Sequence, residues 1–322
     1  MRIFINIKLG FIDKIGKMEK EKTHTFRSGF IAVMGRPNVG KSTLMNSLLG
    51  QKIAAVSPRA QTTRKSQMGI MTIDEEERSA QIIFVDTPGI HKPQHKLGEF
   101  MNQDAIKTLE ECDIILFVAD SSQPPQEDDK ILFSLLSKSN VRIPILVALN
   151  KTDLIDGNTL EERQQAFLEA LPRAEIIPIS ATRKVNIDLL LNTILDHLPE
   201  GCPFFPADQV TDLYERDLAA GLIREAALIL LRDEVPHGIA VRIDQFTERN
   251  QHGAYIEATL FVEKESHKPI VIGKNGKMLK MIGTAARQEI EAMSGRKVFL
   301  RLRIKVRKNW RNDENILNRF GY

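Results

Sequence analysis

Short apolar runs and longer amphipathic stretches alternate along the first two thirds of the chain. The runs Phe30–Met34, Ser66–Thr72, Gln81–Val85, Ile114–Ala119, Ile145–Leu149 and Glu175–Ile179 have the length and composition of buried strands. Helical periodicity falls between them, beginning at Ser42–Leu49 and including Thr159–Ala170 and Asn186–Leu198. Strands alternating with helices predict an α/β fold, a mainly parallel sheet with helices on both faces. Ligands of such sheets gather at the carboxyl ends of the strands.

The stretch from Pro199 to Pro206 holds three prolines and a glycine, which cannot continue a helix, and predicts a linker at 200–206. Beyond it Leu213, Leu218, Leu222, Ile223, Ala226, Ile229 and Leu230 recur at helical spacing. Strands at Ile239–Thr247 and Ala254–Val262, a Gly-rich turn, a helix at Lys277–Met293 and a final strand complete an α-β-β-turn-α-β unit. The expected division is an amino-terminal extension at 1–27, a first domain at 28–199 and a second at 207–322.

A length of 322 residues suits two domains, and no apolar run approaches the 18 residues of a membrane span. Met1 to Ile15 is mildly apolar, but Lys8, Asp13 and Lys14 interrupt it and no cleavage site follows, which argues against a signal peptide. A disordered extension, a start at Met18 and an interfacial amphipathic segment remain open for it. Cys112 and Cys202 lie far apart without metal-type spacing, which excludes a disulfide framework and fits a reducing cytoplasm. The net charge is only +3, yet the last 59 residues carry 15 Lys and Arg against 5 Asp and Glu. Positive charge concentrated at one end suggests a local polyanion site.

Three strings carry the chemistry. Gly35-Arg36-Pro37-Asn38-Val39-Gly40-Lys41-Ser42, followed by Thr43, lies between a strand and a helix, the setting of a phosphate loop. Its glycines let main-chain N–H groups face an anion, Lys41 can neutralise the β- and γ-phosphates, and Ser42 can ligate Mg2+. Asp86-Thr87-Pro88-Gly89 ends an apolar strand. Asp86 suits magnesium and the Gly89 N–H can detect a γ-phosphate. Asn150-Lys151-Thr152-Asp153 selects the base: the Asp153 carboxylate can accept from the N1–H and exocyclic amine of guanine, a donor pair adenine lacks. Asn150 can tie loops together, the Lys151 stem can pack on the base, and Ser180-Ala181-Thr182 can offer an N–H to guanine O6. Between the first two strings, Gln61-Thr62-Thr63-Arg64 can supply a hydroxyl to magnesium when a γ-phosphate is present. Thr62 and Thr63 are equal candidates. GTP and GDP are therefore the expected ligands. A kinase or ATPase has no use for the guanine-reading string, and intact Lys41, Ser42 and Asp86 argue against an RNA-binding protein with a vestigial pocket.

In the second domain, Ile272-Gly273-Lys274-Asn275-Gly276-Lys277 precedes a helix, with Lys280 one turn inside it. Two glycines would let a nucleic-acid backbone approach closely while the lysines attract phosphate. In the last strand the even positions are apolar and Arg301, Arg303, Lys305 and Arg307 alternate with them, which predicts one buried and one cationic face. Trp310 could stack on a base or simply pack.

With these motifs in this order, the chain over residues 25–322 resembles the Era-like family of bacterial ribosome-assembly GTPases, and its carboxy-terminal unit resembles a type II KH domain. The resemblance implies GTP hydrolysis, binding of single-stranded small-subunit ribosomal RNA near its 3′ end, and assistance to 30S subunit assembly. It also implies a catalytic set of Lys41, Asn38, Thr62, Thr63 and Gly89, with Asn38 associated with an activating K+. Peripheral membrane contact is a property of the family, and a monomer is the default expectation. Ile90 stands where Ras-like enzymes carry the Gln that orients water, so slow intrinsic turnover is expected. His91 and His95 lie four apart without a third ligand and read as exposed loop histidines, not a metal pair.

Overall fold

A computed structural model describes residues 25–57, 63–75, 78–89, 93, 95–138, 143–249 and 253–320. Thr62, Ile90, His91 and residues 1–24 of the expected amino-terminal extension lie outside the described residues, while its end is ordered, Arg27 opening the first strand. The chain forms two compact units. Of the described residues, the first takes in those up to 49 and those within 66–90 and 104–212, and the second those within 50–65, 91–103 and 213–322.

The first unit is built on a six-stranded sheet of β1 (Arg27–Met34), β2 (Gln67–Asp74), β3 (Ser79–Asp86), β4 (Ile114–Asp120), β5 (Ile145–Asn150) and β6 (Glu175–Pro178). Their order is β2-β3-β1-β4-β5-β6, with only β2 antiparallel to its neighbour. All seven residues of β4 and all six of β5 are buried, as a sheet covered on both faces demands. Helix α1 (Lys41–Leu49) follows β1, and α2 (Lys96–Glu111) and α3 (Glu127–Lys138) flank β4. Helices α4 (Gly157–Ala170) and α5 (Ile187–His197) flank β6. Phe117, Phe133 and Phe167 meet edge-on or tilted in the core between β4, α3 and α4.

The proline-rich segment expected as a linker is seated on this unit. Gly201 donates to Phe26 O, and the N–H groups of Phe204 and Phe205 donate to Gln81 Oε1 at 2.7 and 2.9 Å. Phe204 packs on Phe30 with ring centroids 5.0 Å apart. The chain then runs beside β2, where Ile70 N–H donates to Val210 O and Thr211 Oγ1 donates to Met68 O. Two Phe side chains amid the prolines explain why it packs instead of floating.

The second unit carries α6 (Glu215–Leu230), β7 (Ala240–Arg249), β8 (Gly253–Val262), α7 (His267–Ile272), α8 (Lys277–Ser294), β9 (Lys297–Val306) and α9 (Glu314–Arg319). Strands β7 and β8 are antiparallel, β8 and β9 parallel. Alternate residues Ala254, Ile256, Ala258, Leu260 and Val262 of β8 face Ala219, Ile223, Ala227, Ile282, Ala286 and Ile290 of α6 and α8. The Gly-rich turn expected after β8 is preceded by the short helix α7, which the sequence did not announce. Six residues are too few for periodicity to reveal, and Pro269 is tolerated in a first turn. Trp310 is a packing residue: it is fully buried and its Nε1–H donates to Gly238 O at 2.9 Å.

Candidate functional site

The functional side chains of the first unit lie at the carboxyl ends of β1, β3, β4, β5 and β6, the edge that the sequence motifs indicated. The loop after β1 turns sharply at Gly40, whose φ is +102°. A Cβ there would sit 2.4 Å from Asn150 Nδ2, so only glycine fits so close to the base-side loop. Lys41 is buried, its ammonium donating to Gly35 O at 2.9 Å and Arg36 O at 3.1 Å. Burial pushes its pKa down to about 8, against the pull of Asp86, while Arg36 adds to the fall. A phosphate beside it would restore full charge.

Ser42 Oγ donates to Asp86 Oδ2 at 2.9 Å, joining the start of α1 to the end of β3. A hydroxyl and a carboxylate so close form the hard-oxygen pair that Mg2+ accepts alongside phosphate oxygens, so the residues fit that ion. Thr87 is fully buried and its Oγ1 donates to Val33 O at 2.8 Å, which aims the following Pro88 and Gly89 toward the phosphate loop. A Cβ on Gly89 would lie 2.8 Å from Pro37 N.

On the base side, Asn150 works as a rivet. Its Nδ2 donates to Val39 O at 2.8 Å, and its Oδ1 accepts from Ala181 N–H at 3.0 Å. Thr152 Oγ1 donates to Ile179 O, and Asp153 Oδ1 accepts from Ser180 Oγ at 2.6 Å. These bonds fix the loops after β5 and β6 as one rim. Lys151 adopts φ +68° and reaches Asn38 O at 3.0 Å and Asp120 Oδ2 at 2.6 Å.

Sequence reasoning passed over Asp120, which closes β4 as Asp86 closes β3. Burial would raise its carboxyl pKa, but hydrogen bonds from Lys151 and Ser122 outweigh burial and hold it below the ordinary value. Arg36 is likewise tied down, with Nε 3.2 Å from Asp129 Oδ2. Arg64, seen in the sequence only as part of a polar loop, is 5% exposed within the second unit and donates to Ile239 O at 2.8 Å and His237 O at 3.0 Å. Its guanidinium lies 5.3 Å from the Trp310 ring centroid. Thr63 beside it is also buried, and His95 is half-buried, not exposed.

The residues assigned to RNA divide into two sets. Gly273, Asn275 and Gly276 have φ of +71°, +54° and +77°, and Lys274, Asn275, Lys277 and Lys280 are exposed around the entry to α8. A Cβ on Gly273 would meet Met278 at 2.7 Å, whereas one on Gly276 would meet open space, so the second glycine leaves room for a ligand. Arg301, Arg303 and Lys305 instead point away from the helices, on the outer face of the sheet, since Leu300, Leu302 and Ile304 pack into the helical core. The alternation of β9 was legible in the sequence; its consequence, two separate basic surfaces, was not.

Among the described residues no three His, Cys, Asp or Glu side chains cluster as a metal site, and no helix is long and apolar enough to cross a membrane. The family described as "50S ribosome-binding GTPase" matches residues 30–151, and the KH domain family matches residues 234–311. Fold and site thus define a P-loop GTPase joined to a KH domain. GTPase Era of Halothermothrix orenii is 46% identical over 298 residues, covering 92% of this chain and 99% of the relative. GTPase Era of Ruminiclostridium cellulolyticum is 45% identical, covering 92% and 98%. A crystal structure of Era in complex with MgGDPNP and nucleotides 1506–1542 of 16S ribosomal RNA is similar, with a TM-score of 0.87 and 42% identity over 92% of this chain and 99% of that one. A variant of Aquifex aeolicus Era bound to GDP and AlF4− gives a TM-score of 0.86 at the same identity and coverage. The chain belongs to the Era family of GTPases, and it is an enzyme that hydrolyses GTP.

Proposed function

We propose that this GTPase is a switch that grips single-stranded small-subunit ribosomal RNA near its 3′ end and assists 30S subunit assembly. The observation that carries the reading is the convergence of Lys41, Ser42, Asp86, Asn150 and Asp153 along one sheet edge. The division proposed is a GTPase domain at 28–199, a connection at 200–206 and a KH domain at 207–322. In this reading the N–H groups of Gly35 to Thr43 cradle the phosphates and Lys41 neutralises them. Ser42 and Asp86, with Thr62 or Thr63, would hold Mg2+, which would supply charge neutralisation to the phosphates. Gly89 senses the γ-phosphate. Asp153 reads guanine, the Lys151 stem covers the base, and the Ala181 N–H is shared between Asn150 and guanine O6.

Asn38 is exposed at φ +66°, and its neutral amide oxygen suits an activating K+. Ile90 has no polar atom to orient water, so intrinsic turnover is roughly 10⁻⁴ to 10⁻² per second. The exposed Gly273–Lys277 turn supports the RNA clamp, as does the RNA held by the related Era structure. With only Cys112 and Cys202 and no disulfide between them, the cysteine content supports a cytoplasmic protein, taken as a monomer, and only the basic carboxy-terminal segment supports peripheral membrane contact.

Coupling between nucleotide and RNA runs, in this proposal, through the described residues of 50–65 and 91–103, which neighbour the nucleotide-sensing strings in sequence and belong to the second unit. Lys52 pairs there with Glu225 at 2.9 Å and Glu289 at 2.8 Å, and Leu97 and Met101 join Phe261 and Trp310 in one apolar cluster. The test is release of phosphate from GTP by the purified protein, together with its affinity for single-stranded RNA in GDP and in a non-hydrolysable GTP analogue. Hydrolysis with RNA affinity that depends on the nucleotide is expected. Equal affinity in both nucleotide states would remove the switch while leaving the enzyme.

A further inference from the structure

The KH sheet has an outer face that neither the nucleotide pocket nor the Gly273–Gly276 turn uses. Its composition follows from the register. Tyr255 pairs with Phe299, Glu257 with Arg301, Thr259 with Arg303 and Phe261 with Lys305. Thr247, Gln245 and Arg242 lie across β8 from Tyr255, Glu257 and Thr259. The bulge between Ile243 and Gln245 preserves this alternation, leaving Ile243 and Phe246 toward the helical core. One end of the face is covered, since Ala240 and Phe261 pack under Leu97, Met101, Trp310, Ile316 and Leu317. The other end is open: Phe299 is 63% exposed.

At that open end Tyr255 and Phe299 stack with centroids 5.6 Å apart and planes 10° apart. The Tyr255 hydroxyl donates to Glu257 Oε2 at 3.0 Å, which fixes its ring. Glu257 also holds Arg303 at 2.7 Å and Arg301 at 3.8 Å, aligning two guanidinium groups beside the aromatic pair. Arg242, paired with Asp244, and exposed Lys297 and Lys305 extend the positive charge. Among the described side chains, the outward positions thus carry the five cations Arg242, Lys297, Arg301, Arg303 and Lys305 against the two carboxylates of Asp244 and Glu257, and no Leu, Ile, Val or Met.

The geometry points to a second nucleic-acid surface: a stacking platform for unpaired RNA bases, made by Phe299 and Tyr255, with Arg301 and Arg303 reaching the flanking phosphates. Phe299 lies on the edge strand, so a base can extend the two-ring column outward. Aromatic platforms on open sheets bind bases that have left their helix, and duplex RNA offers no such face. A protein partner would need an apolar, charge-depleted centre, which this face lacks. The inference rests on the reading of the chain as an RNA-binding protein. It adds that the bound strand passes from the Gly273–Gly276 turn round the β9 edge onto the opposite face.

The test uses the full chain and two unstructured, mixed-sequence RNA probes, one of about 5 nucleotides, matched to a single clamp, and one of about 16. Phe299→Ala removes an exposed ring and leaves no cavity. It is expected to weaken the longer probe about tenfold and leave the shorter one unchanged. Arg301→Gln with Arg303→Gln is expected to lower the salt slope of the longer probe by about 1.4. A 4-thiouridine version of the longer probe is expected to crosslink to peptides containing Tyr255 or Phe299.

If Lys274→Asp with Asn275→Asp abolishes both probes while Phe299→Ala binds the longer one as tightly as the parent, without crosslinks to β8 or β9, the platform is refuted and the clamp stands. If Phe299→Ala instead abolishes binding that the turn variant retains, the platform stands and the clamp falls. Failure of the parent protein to bind either probe overturns both. Variants that lose 30S subunits yet keep naked RNA would assign the face to a protein and overturn the inference.

Discussion

Gly40→Ala offers a sharp test of how the nucleotide rim is built, because two separate penalties can be read from the geometry. The backbone at φ +102° is closed to residues with a Cβ, at about 1–3 kcal/mol. The added carbon would also stand 2.4 Å from Asn150 Nδ2, about 1 Å inside ordinary contact. Asn150 cannot retreat freely, since it is 3% exposed and bonded to both Val39 O and Ala181 N–H. Moving its amide strands a buried acceptor, at about 1–3 kcal/mol. The total is about 2–6 kcal/mol, a large share of the 5–15 kcal/mol typical of a domain. A double-mutant cycle separates the two terms. In an Asn150→Ala background the contact disappears and only backbone strain remains, so Gly40→Ala should cost about 1–3 kcal/mol less there than in the parent. Urea unfolding of the four proteins measures the cycle, and GDP affinity measured on the same set shows whether the rim is shared by phosphate and base. Simple additivity, or a Gly40→Ala cost near zero, would refute the claim that Asn150 and the phosphate loop are locked together.

Asp153→Asn should lower GTP affinity by at least about tenfold, the value of roughly one charge-assisted hydrogen bond, and restore binding to xanthosine triphosphate; titration with both nucleotides decides it. Asn38→Ala should erase any difference in phosphate release between potassium and sodium buffers, while a parent protein indifferent to the cation would sink the K+ assignment outright. Asp120 is held below its ordinary pKa of 3.8, so its contribution is intact above that value and is lost as pH falls toward the folded value. Asp120→Asn should therefore flatten the acid limb of the stability curve below about pH 4, read from urea midpoints. Arg64→Ala should remove two hydrogen bonds from a charged donor, costing about 3–6 kcal/mol of stability, and bring RNA affinities in GDP and in the GTP analogue together.

Most of the first unit was legible because its strands are fully buried and read as unbroken apolar runs, as β4 and β5 show. The residues proposed for guanine and phosphate stood out in the sequence because each offers a particular chemistry at a strand end, and the fold brings them to one sheet edge. Their partners did not stand out. Asp120 and Asp129 are ordinary carboxylates in sequence, and only the fold brings them to Lys151 and Arg36. The same limit applies to the proline-rich segment, whose prolines announce an interruption while Phe204 and Phe205 decide that it packs. The residues proposed for RNA were legible singly but not in their grouping: alternation along β9 established that its two faces differ, but whether the Gly273–Gly276 turn shares the cationic face depends on which side α7 and α8 cover.

Arg64 shows how residues that read as a loose polar loop can set the energetics of a switch. It lies beside Thr63 and two positions from Thr62, the hydroxyls proposed for magnesium, so in the proposed switch a rearrangement at those hydroxyls would be felt at its guanidinium. Its bonds to Ile239 O and His237 O anchor the start of β7. Two hydrogen bonds from a charged donor are worth about 3–6 kcal/mol if both are lost outright, and coupling between sites in proteins is typically about 1–3 kcal/mol. Partial loosening of this one side chain is therefore enough to carry a signal of the required size. Full release would exceed it and would threaten the unit's own stability. The buried setting of Arg64 over Trp310 argues for the first course: in the proposed switch this anchor would loosen only in part and stay attached.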